Sequence, residues 1–285
     1  MTDTQNEVFK SPVNKIRLFE HGAPGSQNLK LTRKYYTEDM PDGRVKHIVQ
    51  NITDPDIVPY IPDGIGNSTD RQRIPAVLII PGGAFRRLVY NFEGEDVAKW
   101  LNSMGIAAFV LECRLPSDEH DNAEDVPLID AMRAMRVIRG RAQEFGIDEA
   151  KIGVMGFSAG GFMAALLSTA YESDVYADYK YKDEYDKLSA RPDFAVCSYP
   201  VISIDDCIEA GKRYMSEEQV LERISDSKAK ILHKYNPDKL VRPDMPPVFI
   251  CETDDDRTTL SENSVGFYMA ARKAGVSAEL HIFRT

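Results

Sequence analysis

Lys151 to Met163 reads KIGVMGFSAGGFM, an apolar run that passes through Gly156-Phe157-Ser158-Ala159-Gly160 into a small-residue stretch. It constrains the fold more than any other segment. Ile152, Val154 and Met155 suit a buried strand, and Phe162 to Leu167 an apolar helix. Between them the Gly-x-Ser-x-Gly spacing permits a strained turn, because flanking glycines let strand and helix backbones approach without Cβ clashes while the Ser158 hydroxyl stays exposed. The same placement sets the Ala159 N–H at a helix N-terminus, where negative charge on a substrate oxygen is favoured. A Gly-rich turn without chemistry is the competing reading, and the required strand-then-helix context weighs against it.

Five further apolar runs predict strands: Ala76 to Ile80, Ile106 to Leu111, Phe194 to Tyr199, Val248 to Glu252 and Ala278 to Phe283. Short uninterrupted runs of this kind suit parallel strands buried on both faces. Amphipathic segments alternate with them. Glu95 to Met104 carries Val97, Trp100, Leu101 and Met104 on one helical face, and Leu128, Met132, Met135, Ile138, Ala142 and Phe145 form a second stripe ending at Gly146. A third helix runs from about Ser261 to Ala274. This order predicts an α/β chain with a doubly wound, mostly parallel sheet and helices on both faces, in a single domain over residues 1–285. Leu29 to Tyr36 and Val45 to Ile52 read as edge strands, followed by a Pro-rich stretch through Pro62. Residues 1–27 read as a polar N-terminal arm without visible chemistry.

In such a sheet, ligands meet the carboxyl ends of the strands, so segments 81–92, 112–124, 203–245 and 253–260 are expected to face the site. Pro81-Gly82-Gly83-Ala84-Phe85 leaves the first of these strands with few side chains, which suits backbone N–H groups approaching a substrate oxygen. Segment 203–245, with Val220, Leu221, Ile224 and Ile231 at helical spacing, is expected to form a small helical cap or a connecting helix. Tyr171, Tyr176, Tyr179, Tyr181 and Tyr185 fall on the far side, as a solvated surface or a subunit contact, so a homo-oligomer stays open.

The 35 basic and 45 acidic residues leave a net charge of -10, which excludes nucleic acid and anionic membrane as expected partners. No apolar run approaches a membrane span and MTDTQNEVFKSP lacks a secretory apolar core, so a cytoplasmic location is expected unless a leader has been removed. Cys113, Cys197, Cys207 and Cys251 lack metal-ligand spacing and read as reduced buried thiols.

PGGAF, FEGEDVAKWLNSMGIAAFVLECRLP, PLIDAMRAMRVIR, KIGVMGFSAGG and PPVFICETDDD, in that order, resemble the alpha/beta-hydrolase superfamily, and within it the esterase and lipase group that includes bacterial acetyl-xylan-esterase-like carbohydrate esterases. The resemblance covers residues 45–285. It implies a serine carboxylester hydrolase acting on small acyl esters, acetyl esters of carbohydrates among them, through an acyl-enzyme, with no metal and no organic cofactor. Ser158 becomes the nucleophile, and Ala159 with Gly82, Gly83 and Ala84 become the oxyanion donors. The triad acid falls on Asp256, with Asp255 the alternative, shortly before the Glu262-Asn263-Ser264 helix start. Asp130 is implied as structural, and Phe162 stands where relatives often carry histidine, which points to packing there.

The base departs from the pattern. The family's histidine follows the last strand in a Gly-His-Gly turn, whereas His281 lies within that strand, roughly 10 Å short at about 3.3 Å per residue. Two expectations compete: the chain is truncated before its histidine, or it has lost the base and binds without catalysis. His120 and His233, in site-facing segments, read more simply as surface histidines.

Overall fold

A computed structural model describes residues 9–64, 73–213, 215–216, 218–220 and 227–284. The strands are β1 (Ile16–Arg17), β2 (Lys34–Asp39), β3 (Val45–Gln50), β4 (Asp56–Tyr60), β5 (Ile74–Ile80), β6 (Leu88–Val89), β7 (Ala107–Glu112), β8 (Ile147–Phe157), β9 (Ala195–Ser198), β10 (Val248–Thr253) and β11 (Ala278–Phe283). The main sheet has the order β1-β4-β7-β5-β8-β9-β10-β11. From β7 to β11 every pairing is parallel, and β4 joins β7 and β1 antiparallel. Helices α1 (Asp96–Ser103), α2 (Val126–Gly140), α3 (Ala142–Phe145) and α4 (Ala159–Ala170) pack on it, with later helices at Ile204–Lys212, Ser227–Lys234 and Ser261–Lys273. This is the alpha/beta-hydrolase fold, and all six expected parallel strands are present.

Strand order reverses at β5, which lies between β7 and β8. At such a switch point the loops leaving adjacent strands diverge and open a crevice at the carboxyl ends. The turn after β5 and the turn after β8 meet there, and both carry sequence-predicted residues.

Three expectations near the N-terminus are corrected. β2 and β3 pair with β6 in a separate three-stranded sheet and do not edge the main one. The Pro-rich stretch contains β4, whose Pro59 lies beyond the two residues that β1 covers, a position where a missing N–H is tolerated. The arm is also less polar in place than in composition. Leu18, Phe19, Ala23 and Ser26 are buried, the Leu18 carbonyl accepts from Arg133 Nε at 2.8 Å, and Ser26 Oγ accepts from Arg114 Nη1 at 2.8 Å.

Within the tyrosine-rich segment, Tyr171 and Tyr176 are buried, and their hydroxyls donate to Asp244 at 2.7 Å and Asp186 at 2.9 Å. Only Tyr181 of the five is strongly exposed, so the solvated-surface expectation holds for it and fails for those two. Cys113 and Cys197 are buried free thiols and Cys251 is half-buried and free; the Cys207 side chain lies outside the described residues. Among the described residues no helix is long and apolar enough to cross a membrane.

Candidate active site

Ser158 joins β8 to α4 at φ 53° and ψ −117°, a conformation that L-residues rarely adopt. Its N–H donates to the Ser198 carbonyl at 3.0 Å, and its own carbonyl accepts from Phe162 N–H at 3.0 Å. A side chain at Gly160 would collide with the Ile80 carbonyl, so β5 and α4 touch backbone to backbone. The serine remains partly exposed while Phe157 and Ala159 on either side are buried.

The turn after β5 stands opposite. Gly83 has φ +140°, and Ala84 and Phe85 follow at 58° and 61°. The Gly82 carbonyl accepts from Val89 N–H at 2.9 Å, and the Gly83 carbonyl from Arg86 and Arg87 N–H at 3.2 and 3.3 Å. A Cβ on Gly82 would lie 2.7 Å from Glu93 Oε2 and 3.0 Å from Ser158 Cβ, so the Glu93 carboxylate and Ser158 flank this glycine.

Gly82 itself is corrected as an oxyanion donor, because its N–H already donates to Glu93 Oε2 at 2.7 Å. The N–H groups of Gly83, Ala84 and Ala159 have no acceptor among the described residues. These three are the amides that a substrate oxygen can recruit.

Glu93 was not legible as a site residue. It lies in a π-helical turn, Asn91–Glu95, closed by Glu95 N–H on the Tyr90 carbonyl at 2.8 Å; wide turns of this kind recur at functional sites. Its second oxygen accepts the Tyr199 hydroxyl at 3.0 Å. Burial holds the Glu93 carboxyl above its ordinary range, against the opposing pull of the Gly82 N–H and the Tyr199 hydroxyl. Burial also raises the Tyr199 hydroxyl, with Glu93 adding to it. The only advance signal was a charged pair inside FEGE, which any exposed helix start also shows.

Asp256 sits in the loop after β10. Its Oδ1 accepts from Thr258 and Thr259 N–H at 2.6 and 3.0 Å, and Oδ2 from Thr259 Oγ1 at 2.9 Å. Asp255 is exposed. Glu252, buried one residue before the end of β10, accepts from Thr253 N–H at 3.0 Å and Ser264 Oγ at 3.2 Å. Burial, reinforced by the Asp256 charge, pushes its carboxyl up to about 7.

The histidines are held elsewhere. His281 pairs within β11 opposite Cys251, with Nε2 2.5 Å from Glu279 Oε1 and its ring against Phe249. His120 Nδ1 meets Ser26 Oγ at 3.0 Å, and burial followed by the Arg114 charge lowers it to about 4. Contrary to the surface reading, His120 is therefore a buried residue. His233 is exposed on helix Ser227–Lys234. His47 stacks on Phe9 and His21 contacts the Tyr181 ring. The Phe283 carbonyl accepts Asp254 N–H at 2.9 Å, so the end of β11 runs beside the Asp256 loop.

Gly82, Gly83, Phe85, Leu115, Ala159 and Met163 line an apolar cavity of ≈ 20 Å³ behind the candidate oxyanion amides, room for one water-sized group. Phe162 is fully buried and meets Phe85 edge-on at 5.5 Å. From segment 203–245, Ile231 and Leu232 are buried, and Lys234 Nζ pairs with Asp125 at 2.6 Å beside the start of α2. Helix Ser227–Lys234 packs against Pro116–Asp118, next to the cavity wall. Leu221 and Ile224, expected on the apolar face of this segment, lie outside the described residues.

The sequence profile of the BD-FAE family matches residues 65–270. The chain belongs to the BD-FAE family. It is similar to an acetylxylan esterase of Xylanibacter ruminicola, 30% identical over 210 residues, which are 73% of this chain and 39% of that protein. It is also similar to endo-1,4-beta-xylanase B of Butyrivibrio fibrisolvens, 31% identical over 215 residues, 75% of this chain and 32% of that one. The chain thus spans about a third to two fifths of the length of these two relatives. Among solved structures, an acetyl ester-xyloside bifunctional hydrolase from Caldicellulosiruptor lactoaceticus superposes with a TM-score of 0.68 at 34% identity, covering 95% of this chain and 85% of that one. A thermophilic esterase of Thermogutta terrifontis, bound to butyrate, gives 0.62 at 25%, covering 81% and 78%.

Proposed function

We propose that this protein is a serine carboxylester hydrolase for short acyl esters, acetyl groups on carbohydrate among them. The observation that carries this reading is Ser158 held in a strained, partly exposed turn opposite the Gly83–Ala84 amides. The relatives named as acetylxylan esterase and acetyl ester-xyloside bifunctional hydrolase support the ester class.

In the proposed reaction Ser158 Oγ bonds to the ester carbonyl carbon and passes its proton to a histidine base. The carbonyl oxygen becomes an oxyanion held by the Gly83, Ala84 and Ala159 N–H groups. The C–O bond to the alcohol then breaks, and the alcohol leaves with the proton from the histidine. Water attacks the acyl-enzyme, its proton passing through the same histidine back to Ser158, and the acid departs. Asp256 orients that histidine, whose place in this topology is the segment following β11, beside the Asp256 loop. His47, His120 and His281 have other partners, Phe9, Ser26 and Glu279, and loss of a triad histidine lowers turnover by about 10⁶-fold in a comparable serine hydrolase.

The test is labelling of the full-length gene product with a fluorophosphonate probe. Ser158 should be modified, and Ser158→Ala should abolish both labelling and nitrophenyl acetate hydrolysis. An unlabelled serine in a folded protein would sink the hydrolase reading and favour a binding protein on the same fold.

A further inference from the structure

We infer that Glu93 is a positioning residue that aims the oxyanion turn, by accepting the Gly82 N–H on one oxygen and the Tyr199 hydroxyl on the other. The inference rests on the esterase reading above and adds to it a residue outside the serine, acid and base.

Gly82 is followed at once by Gly83 and Ala84, whose amides await the substrate oxygen. Three consecutive residues, 83 to 85, hold positive φ, so the turn has no regular ladder to keep it in place. Its carbonyl side is fixed by Val89, Arg86 and Arg87 N–H groups. Its N–H side is fixed by Glu93 at 2.7 Å. With Gly82 tied down, rotation of the following peptide planes is limited on both flanks.

Glu93 is itself anchored. Tyr199 donates to it at 3.0 Å, its own N–H donates to the Cys251 carbonyl at 2.7 Å, and its ring meets Phe157 at 5.9 Å between centroids. Phe157 precedes the nucleophile. The chain of contacts therefore runs from the oxyanion turn through Glu93 and Tyr199 to the strands that carry Ser158 and Asp256. A carboxylate accepting a backbone N–H gives a shorter, stronger bond than a neutral acceptor. Positioning errors of about 1 Å cost about 10²-fold in rate.

The experiment compares Glu93→Ala, Glu93→Gln and Tyr199→Phe in the full-length gene product, with Ser158→Ala as the reference for a lost nucleophile. With nitrophenyl acetate, Glu93→Ala should lower kcat by about 10²-fold while KM changes less than about three-fold. Glu93→Gln keeps an oxygen for the Gly82 N–H and should restore kcat to within about ten-fold of the parent. Tyr199→Phe should fall between them. A merely structural role predicts matched losses of melting temperature and activity without this kcat-selective split. A kcat for Glu93→Ala within two-fold of the parent overturns the inference.

A second readout does not need turnover. In the 15N-labelled chain the Gly82 amide should exchange with solvent about ten-fold or more slowly than in Glu93→Ala. Equal exchange rates overturn the inference, whatever the activity shows. If Ser158→Ala leaves hydrolysis unchanged, the esterase reading fails instead, and amide exchange still decides whether Glu93 holds the turn.

Discussion

Ser158 holds φ 53° because three neighbours leave it no alternative: Ser198 O takes its N–H, Phe162 N–H takes its carbonyl, and Gly160 abuts Ile80. A strained residue of this kind costs on the order of 1–3 kcal/mol and persists only when over-determined. Its glycine spacing is local, which is why the motif was readable. The choice between Asp256 and Asp255 was not, because both occupy the same acidic run. Asp256 accepts from Thr258 and Thr259 and is half-buried, whereas Asp255 is exposed. Asp256→Asn is expected to lower kcat on nitrophenyl acetate by about 10⁴-fold, the scale for a triad acid. Asp255→Asn should leave it within about two-fold. The reverse ranking would transfer the acid to Asp255. Gly82 shows the opposite limit of legibility, since the carboxylate that takes its N–H lies 11 residues further on and arrives through packing.

At the level of elements, β10 and helix Ser261–Lys273 are joined by the hydrogen bond from Ser264 to Glu252. The Glu252 carboxyl is 2% exposed and pushed up to about 7 from an ordinary value of 4.5. A carboxyl whose folded pKa is raised binds its proton more tightly folded than unfolded, so stability falls as pH rises from about 4.5 to about 7. Glu252→Gln mimics the protonated form and keeps both bonding partners. It is expected to stabilise the protein by on the order of 1–3 kcal/mol at pH 8 and to leave stability unchanged near pH 4, as read by urea denaturation at both pH values. An equal effect at both would show that Glu252 is not the titrating group. The strands β5 and β7 to β11 were legible as elements because each is a short apolar run buried on both faces. β4 was not, because prolines on either side of it read as a loop, and only antiparallel pairing with β7 makes Asp56–Tyr60 a strand.

Across the whole molecule, Arg114 and Asp130 hold the N-terminal arm, the end of β7 and α2 together. Both side chains are fully buried, paired at 2.6 Å, and Arg114 also reaches the Pro24 carbonyl and Ser26. Burial raises the Asp130 carboxyl, and Arg114 opposes that rise. Removing one partner leaves a buried charge uncompensated, so Asp130→Ala should cost about 3–5 kcal/mol in chemical denaturation, while a paired Arg114→Met and Asp130→Leu replacement should recover most of it. A loss below about 1 kcal/mol for the single variant would mean that Arg114 finds water or another acceptor. Hydrophobic period and glycine spacing, being short-range, determined by themselves the parallel sheet and its switch from strand to helix at Ser158. Tertiary structure alone decided what depends on contacts between distant segments: the second sheet, the buried arm and the engagement of Gly82 by Glu93. A hydrogen-bond partner is set by where the backbone brings it, and neighbouring residues in the chain carry no record of that.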